Sequence, residues 1–189
     1  MAEKVTNTLL INDEEVEWVN LAKTDPNAFK PLYELHFKRV YVFILRRVGD
    51  KDTAGDLTQQ VFLKALLNIG KYEHRGIPFS AWLFRIALNQ CTEFFRQSKR
   101  ARTIVLEDGL VETLYEEITA DQTRLEWETC LPSILEKLGA DDLQVIELRF
   151  FEGNSFKEVG EVLGISETYA KVRTYRILDK MKKLFLKRE

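Results

Sequence analysis

Histidine and cysteine are nearly missing from this 189-residue chain, which holds His36, His74, Cys91 and Cys130 and no others. The cysteines lie far apart and fit neither a disulfide framework nor paired metal-ligand spacing, so both read as plain buried or half-buried small residues. No metal cluster can be assembled from so few ligands, and no glycine-rich phosphate loop or nucleophile elbow occurs. The sequence therefore points away from an enzyme and implies no metal and no cofactor. His36 falls in a helical run and reads as a helix-surface or packing residue; His74 falls in a loop. Glycine (9) and proline (4) are sparse, and nothing alternates with period two for long. Both facts predict helices and no substantial sheet. No apolar run reaches the roughly 18 residues of a membrane span, and the acidic opening MAEKVTNTLLINDEEVEW lacks the apolar core of a secretory signal. The expectation is a cytoplasmic protein with no stable membrane insertion.

What is present is helical periodicity. Apolar residues recur at three- and four-residue steps over residues 13–48, with a break at Asp25-Pro26 and a stop at Val48-Gly49-Asp50. The next run, AGDLTQQVFLKALLNI, puts Leu57, Val61, Leu66 and Ile69 on one face and ends at Gly70. Tyr72 to Pro78 is a loop by its glycine and proline. Ser80 is placed to cap a long helix that becomes basic towards Arg100. Residues 101–124 lack strong periodicity, are acidic and read as a linker. Helices resume near Leu125, where Leu131, Ile134, Leu135 and Leu138 share a face up to Gly139. Asp141 or Asp142 starts another helix, and Glu152-Gly153-Asn154 is a turn. The expected fold is all-α: an N-terminal helical bundle over residues 1–100, an acidic linker over 101–124, and a C-terminal helical domain over 125–189.

The C-terminal stretch GNSFKEVGEVLGISETYAKVRTYR carries the most specific signal. Ser155 and Glu158 form a capping box. Val159, Val162 and Leu163 face a core, and Gly160, with no side chain, lets another helix approach closely. Gly164 supplies a left-handed turn, and Ser166 caps a second helix at once. On that helix Ala170, Ile177, Leu178, Met181, Leu184 and Phe185 point inward. Thr168, Tyr169, Lys171, Val172, Arg173, Tyr175 and Arg176 lie outside or at the edge. This is a helix-turn-helix whose second helix suits a DNA major groove.

The net charge of −2 hides a strong pattern. Residues 71–102 hold seven basic and two acidic side chains, and residues 168–189 hold eight and two. The stretch between them is heavily acidic. In the first basic block, Phe79, Trp82, Phe84, Phe94 and Phe95 interleave with Arg75, Arg85, Arg96, Lys99 and Arg100. Rings can stack on unpaired bases while cations hold the backbone. Helical spacing favours the core for Phe84, Phe94 and most of these rings, which leaves the loop around His74 and Arg75 as the better place for a displaced base.

Three segments in this order, DLTQQVFLKAL, FSAWLFRIALNQCTEFFRQSKR and the helix-turn-helix with its LGIS, resemble the extracytoplasmic function (ECF) sigma factors of bacterial RNA polymerase. The resemblance runs from about Asn27 to the end. It implies that Asp56, Leu57, Gln59, Gln60 and Phe62 contact core RNA polymerase. It implies that Trp82, Arg85, Asn89 and Arg96, with His74, Arg75, Lys99 and Arg100 beside them, handle a melted minus-ten strand. It implies that Ser166 and Thr168 to Arg176 read the duplex minus-thirty-five element. The sequence departs from the family's usual residues at Gly55, Gln60, Leu88 and Glu93. An anti-sigma factor is the partner the family adds to core polymerase and promoter DNA. The acidic blocks would then restrain DNA binding by the free chain. The rival reading is a helix-turn-helix regulator that binds duplex DNA without polymerase. The DLTQQVF segment and the basic helix argue against it.

Overall fold

The computed structural model describes residues 13–98, 114 and 124–187. These fall into two compact units, one within residues 1–103 and one within 104–189. All regular elements among the described residues are helical.

In the first unit, α1 spans Asp13–Ala22, α2 Lys30–Val48, α3 Lys51–Asn68 and α4 Phe79–Ser98. Local chemistry sets the boundaries. Asp25 accepts the Asn27 amide hydrogen bond at 2.9 Å and opens a short 3-10 turn over Pro26–Phe29. Gly49 ends α2 at φ 71°, a conformation glycine adopts without steric cost. Asp50 then caps α3 by accepting from the Thr53 amide at 2.8 Å. The apolar stripes of α2, α3 and α4 meet in a core of Leu32, Phe43, Ile44, Val61, Phe79, Leu83 and Phe84. Each such side chain contributes about 1.5–3 kcal/mol when fully buried. Ser80 does not cap α4: it sits inside the first turn and is buried, and the Ala81 amide donates to Pro78 O instead.

Buried polar groups also lie within this bundle. His36 Nε2 and Glu15 Oε1 are hydrogen-bonded at 2.6 Å, which joins α1 to α2. Arg47 is only 2% exposed, with its guanidinium carbon 3.5 Å from the centre of the Phe43 ring. Cation–π attraction strengthens when the pair is desolvated, which lets a cation sit in an apolar place.

In the second unit, α5 spans Arg124–Glu136, α6 Ala140–Ile146, α7 Phe156–Leu163 and α8 Glu167–Leu186. Helix α6 widens into a π turn over Glu147–Phe151. Gly139 is extended (φ −65°, ψ 154°) and caps α6 rather than closing α5 through a left-handed turn. Ala140 accordingly begins α6, with Asp141 and Asp142 in its first turn, where negative charge suits the helix dipole. The core gathers Trp127, Leu131, Ile134, Leu135, Val145, Ile146 and Met181. Leu114 belongs to that core as well. The expected linker over 101–124 otherwise lies almost entirely outside the described residues. Both cysteines are buried and neither is in a disulfide.

Candidate nucleic-acid interface

Helices α7 and α8 form the helix-turn-helix, and backbone geometry fixes its sharp corner. Ser155 Oγ accepts from the Glu158 amide at 3.2 Å, and the Ser155 amide donates to Glu158 Oε2 at 2.6 Å. Gly164 takes φ 68° between the helices. Ser166 then accepts from the Tyr169 amide at 3.2 Å and starts α8. The close approach expected at Gly160 is real, but the neighbour is the turn itself. A Cβ there would lie 2.7 Å from the carbonyl oxygen of Ile165.

The inner face of α8 holds Ala170, Thr174, Ile177, Leu178 and Met181. Thr174 is tolerated there because its hydroxyl donates to Ala170 O at 2.8 Å. Thr168, Tyr169, Lys171, Val172, Tyr175 and Arg176 are exposed, as is Ser166 beside its cap. Arg173 differs. It is half-buried, and its Nε and Nη2 both donate to Asp142 Oδ1, at 3.3 and 3.0 Å.

In the first unit, Arg85, Asn89 and Arg96 are exposed along α4. Trp82 is half-buried on the same stripe, its ring 5.2 Å from that of Tyr72 and 5.3 Å from that of Phe79. Phe79 and Phe84 are core, whereas Phe94 and Phe95 are half-buried and lean on each other. His74 and Arg75 are exposed in the loop, which Tyr72 braces by donating to Ile77 O at 3.3 Å. Arg75 pairs with Glu73 at 2.7 Å, and Arg96 pairs with Glu93 at 2.6 Å. The hydrogen bond from Arg75 holds the Glu73 carboxyl below the usual carboxylate range. Hydrogen bonds from Arg96 and then Gln97 do the same for Glu93, and the Arg96 guanidinium is raised in turn. Lys99 and Arg100 lie outside the described residues.

On α3, Asp56, Gln59 and Gln60 are exposed, as a docking face requires. Leu57 and Phe62 are not: they are 6% and 4% exposed and face the bundle. Phe62 packs edge-on to Tyr33 at 4.8 Å and forms part of a shallow apolar groove with Pro26, Phe29, Tyr33, Gln59 and Leu63. Sequence reasoning missed Leu63 and Leu67, which are 57% and 73% exposed. The signal was available, because Gln59, Leu63 and Leu67 recur every four residues and so share a row on α3.

The sequence matches Sigma-70 region 2 over residues 32–101 and Sigma-70 region 4 over residues 134–183. The first span covers α2 from Leu32 on, with α3 and α4; the second covers the helix-turn-helix as far as Lys183. The ECF RNA polymerase sigma factor SigM of Bacillus subtilis is 26% identical over 155 residues, 82% of this chain and 93% of SigM. The ECF RNA polymerase sigma factor BldN of Streptomyces coelicolor is 33% identical over 162 residues, 85% of this chain. The chain belongs to the ECF sigma factors. It spans 61% of the length of BldN. The fold is shared with CnrH, solved in complex with the cytosolic domain of CnrY, at TM-score 0.62 and 23% identity, covering 93% of this chain and 99% of that one. It is also shared with the sigma factor RpoE from Bartonella quintana, solved with the anti-sigma factor NepR, at TM-score 0.56 and 20% identity over 85% of this chain and 98% of that one. Among the described residues of this sigma factor, no helix is long and apolar enough to cross a membrane.

Proposed function

We propose that this ECF sigma factor divides promoter recognition among three surfaces, each assigned to named residues. The exposed row of α3, with Asp56, Gln59, Gln60, Leu63 and Leu67, docks on core RNA polymerase. The loop with His74 and Arg75, and the outer stripe of α4 with Trp82, Arg85, Asn89 and Arg96, take the melted minus-ten strand. The outer face of α8, from Thr168 to Arg176, reads the minus-thirty-five duplex. The chain supplies binding energy and the polymerase supplies the chemistry, so it acts as a factor and not as an enzyme. An anti-sigma protein that covers the α3 groove is the remaining partner, and the cytoplasm, where polymerase and promoter meet, is the place of action.

The observation that carries this reading is the outward face of α8. It offers Tyr169, Lys171, Val172, Tyr175 and Arg176 to solvent from a helix-turn-helix with satisfied caps. Cations there suit phosphates and base edges, and the rings and valine suit thymine methyl groups. Opening the minus-ten strand costs a few kcal/mol per extruded base, which contacts around Trp82 and the loop must offset.

The test is size-exclusion co-elution of the full chain with sigma-free core polymerase, followed by promoter-directed transcription. Wild type should co-elute, and a Gln59→Ala, Gln60→Ala, Leu63→Ser variant should co-elute poorly while remaining folded. A wild-type chain that stays apart from polymerase and binds duplex DNA by itself would overturn the reading.

A further inference from the structure

Among the candidate DNA-facing arginines with ion pairs, Arg75 and Arg96 pair with acids two and three residues away on exposed surface. Arg173 pairs with an acid 31 residues away on another helix. The side chains of Arg173 and Asp142 are 24% and 28% exposed, so this contact sits at the edge of the core. The other carboxylate oxygen of Asp142 lies 3.5 Å from Lys180 Nζ. Asp142 is therefore gripped from two sides and bridges α6 to two points on α8 about two turns apart.

The direction of the grip matters. A guanidinium has five N–H groups in a fixed plane. Asp142 takes the side edge, Nε and Nη2, through one oxygen. One N–H of Nη1 and the second of Nη2 point to the end of the fork and make no hydrogen bond among the described residues. That end matches a pair of acceptors, such as guanine O6 and N7 or two phosphate oxygens. Arg173 also stands in the row of Tyr169 and Arg176, four and three residues away, and that row is exposed at both ends.

We infer that Asp142 is a positioning residue for promoter recognition: it holds Arg173 side-on so that the end of the guanidinium meets a paired acceptor on the duplex. The inference rests on the reading of α8 as the minus-thirty-five helix. Fixing the fork before contact removes the rotamer entropy that a free arginine loses on binding. Asp142 touches no DNA in this scheme and acts only through Arg173.

The experiment uses the full chain reconstituted with core polymerase and a duplex library randomised in its upstream half. Asp142→Ala, Asp142→Asn, Arg173→Ala, the Asp142→Ala/Arg173→Ala double variant and Arg176→Ala are compared, with thermal melts of each. Asp142→Ala should weaken binding of the preferred duplex by about ten-fold, within the range of one well-made bidentate contact. The loss should be absent in the Arg173→Ala background, because Arg173, and not the Lys180 on the other side of Asp142, carries the effect in this scheme. Asp142→Asn keeps an acceptor oxygen and should fall between. Relaxed preference at one base pair would mark a guanine as the acceptor. Uniform weakening with a shallower salt dependence would mark a phosphate. A loss that persists in the Arg173→Ala background would make Asp142 merely structural and overturn the inference. So would a gain in affinity, which would make Asp142 a competitor of DNA, or unchanged binding beside a weakened Arg173→Ala. If Arg176→Ala and Arg173→Ala both left binding intact, the reading of α8 itself would fall, and the inference with it.

Discussion

At the scale of single residues, one glycine decides the corner of the helix-turn-helix. Gly160 leaves no room for a methyl group, because a Cβ would press on the Ile165 carbonyl at 2.7 Å. The obstacle is backbone, which cannot rotate away as a side chain would. Gly160→Ala should therefore destabilise the second unit by about 1–3 kcal/mol, the usual cost of overpacking. Urea denaturation followed through Trp127, buried in that unit's core, would show it. A midpoint shifted by less than the experimental scatter would mean the turn can retreat. The sequence made Gly160 legible as a close approach but pointed to another helix where the turn itself is the neighbour, because spacing along one helix does not say what packs against it.

At the scale of elements, α3 separates what stabilises the bundle from what can meet a partner. Phe62 is core, so Phe62→Ala should cost about 3–5 kcal/mol by the usual loss of a buried ring. A weakened polymerase complex in that variant would report unfolding as much as docking. Leu67→Ser removes a side chain that is mostly in water and should change stability by less than about 0.5 kcal/mol. If α3 docks as proposed, Leu67→Ser should still weaken co-elution with core polymerase. An unchanged complex would exclude the C-terminal end of α3 from the interface.

The same helix shows what was readable. Period-three-and-four spacing put Leu57 inside, and it is inside. Carrying a family role onto Leu57 and Phe62 named them as polymerase contacts, and a shared motif names residues without saying which way they face. The helical boundaries at Asp25-Pro26, Gly49, Asp50, Gly164 and Ser166 were legible because each rests on a cap or a left-handed glycine whose chemistry is local. The π turn at Glu147–Phe151 was not. Ile146, Leu148 and Phe150 are all buried, although alternate residues of a regular α-helix point in nearly opposite directions. Val145 and Glu147 are buried too, so the segment is enclosed on more than one side, and no single residue type announces a widened turn. Arg47 was missed for a related reason: a cation reads as solvated until the ring beneath it is seen.

At the scale of the whole molecule, charge is sorted along the chain more sharply than the net value suggests. The basic stretch that includes α4 and the basic α8 flank a region rich in acid. Replacing Glu107, Asp108, Glu112, Glu116 and Glu117 by their amides should raise the affinity of the free chain for duplex DNA. The rise should be largest at low salt, since such long-range attraction is screened within about a Debye length. Fluorescence anisotropy without polymerase would measure it, and an unchanged affinity would locate the restraint elsewhere.

The hydrogen bond between Glu15 and His36 bears on where this sigma factor's modules begin. Family likeness marks the first module from residue 32, yet Glu15 reaches His36 from α1, and Val19, Ala22 and Phe29 are buried as well. The stretch by which relatives are recognised and the stretch that must be present for the module to stand are therefore different objects. A cut made at the recognisable border would sever a helix from its own hydrophobic seat and strand a histidine in a half-closed wall.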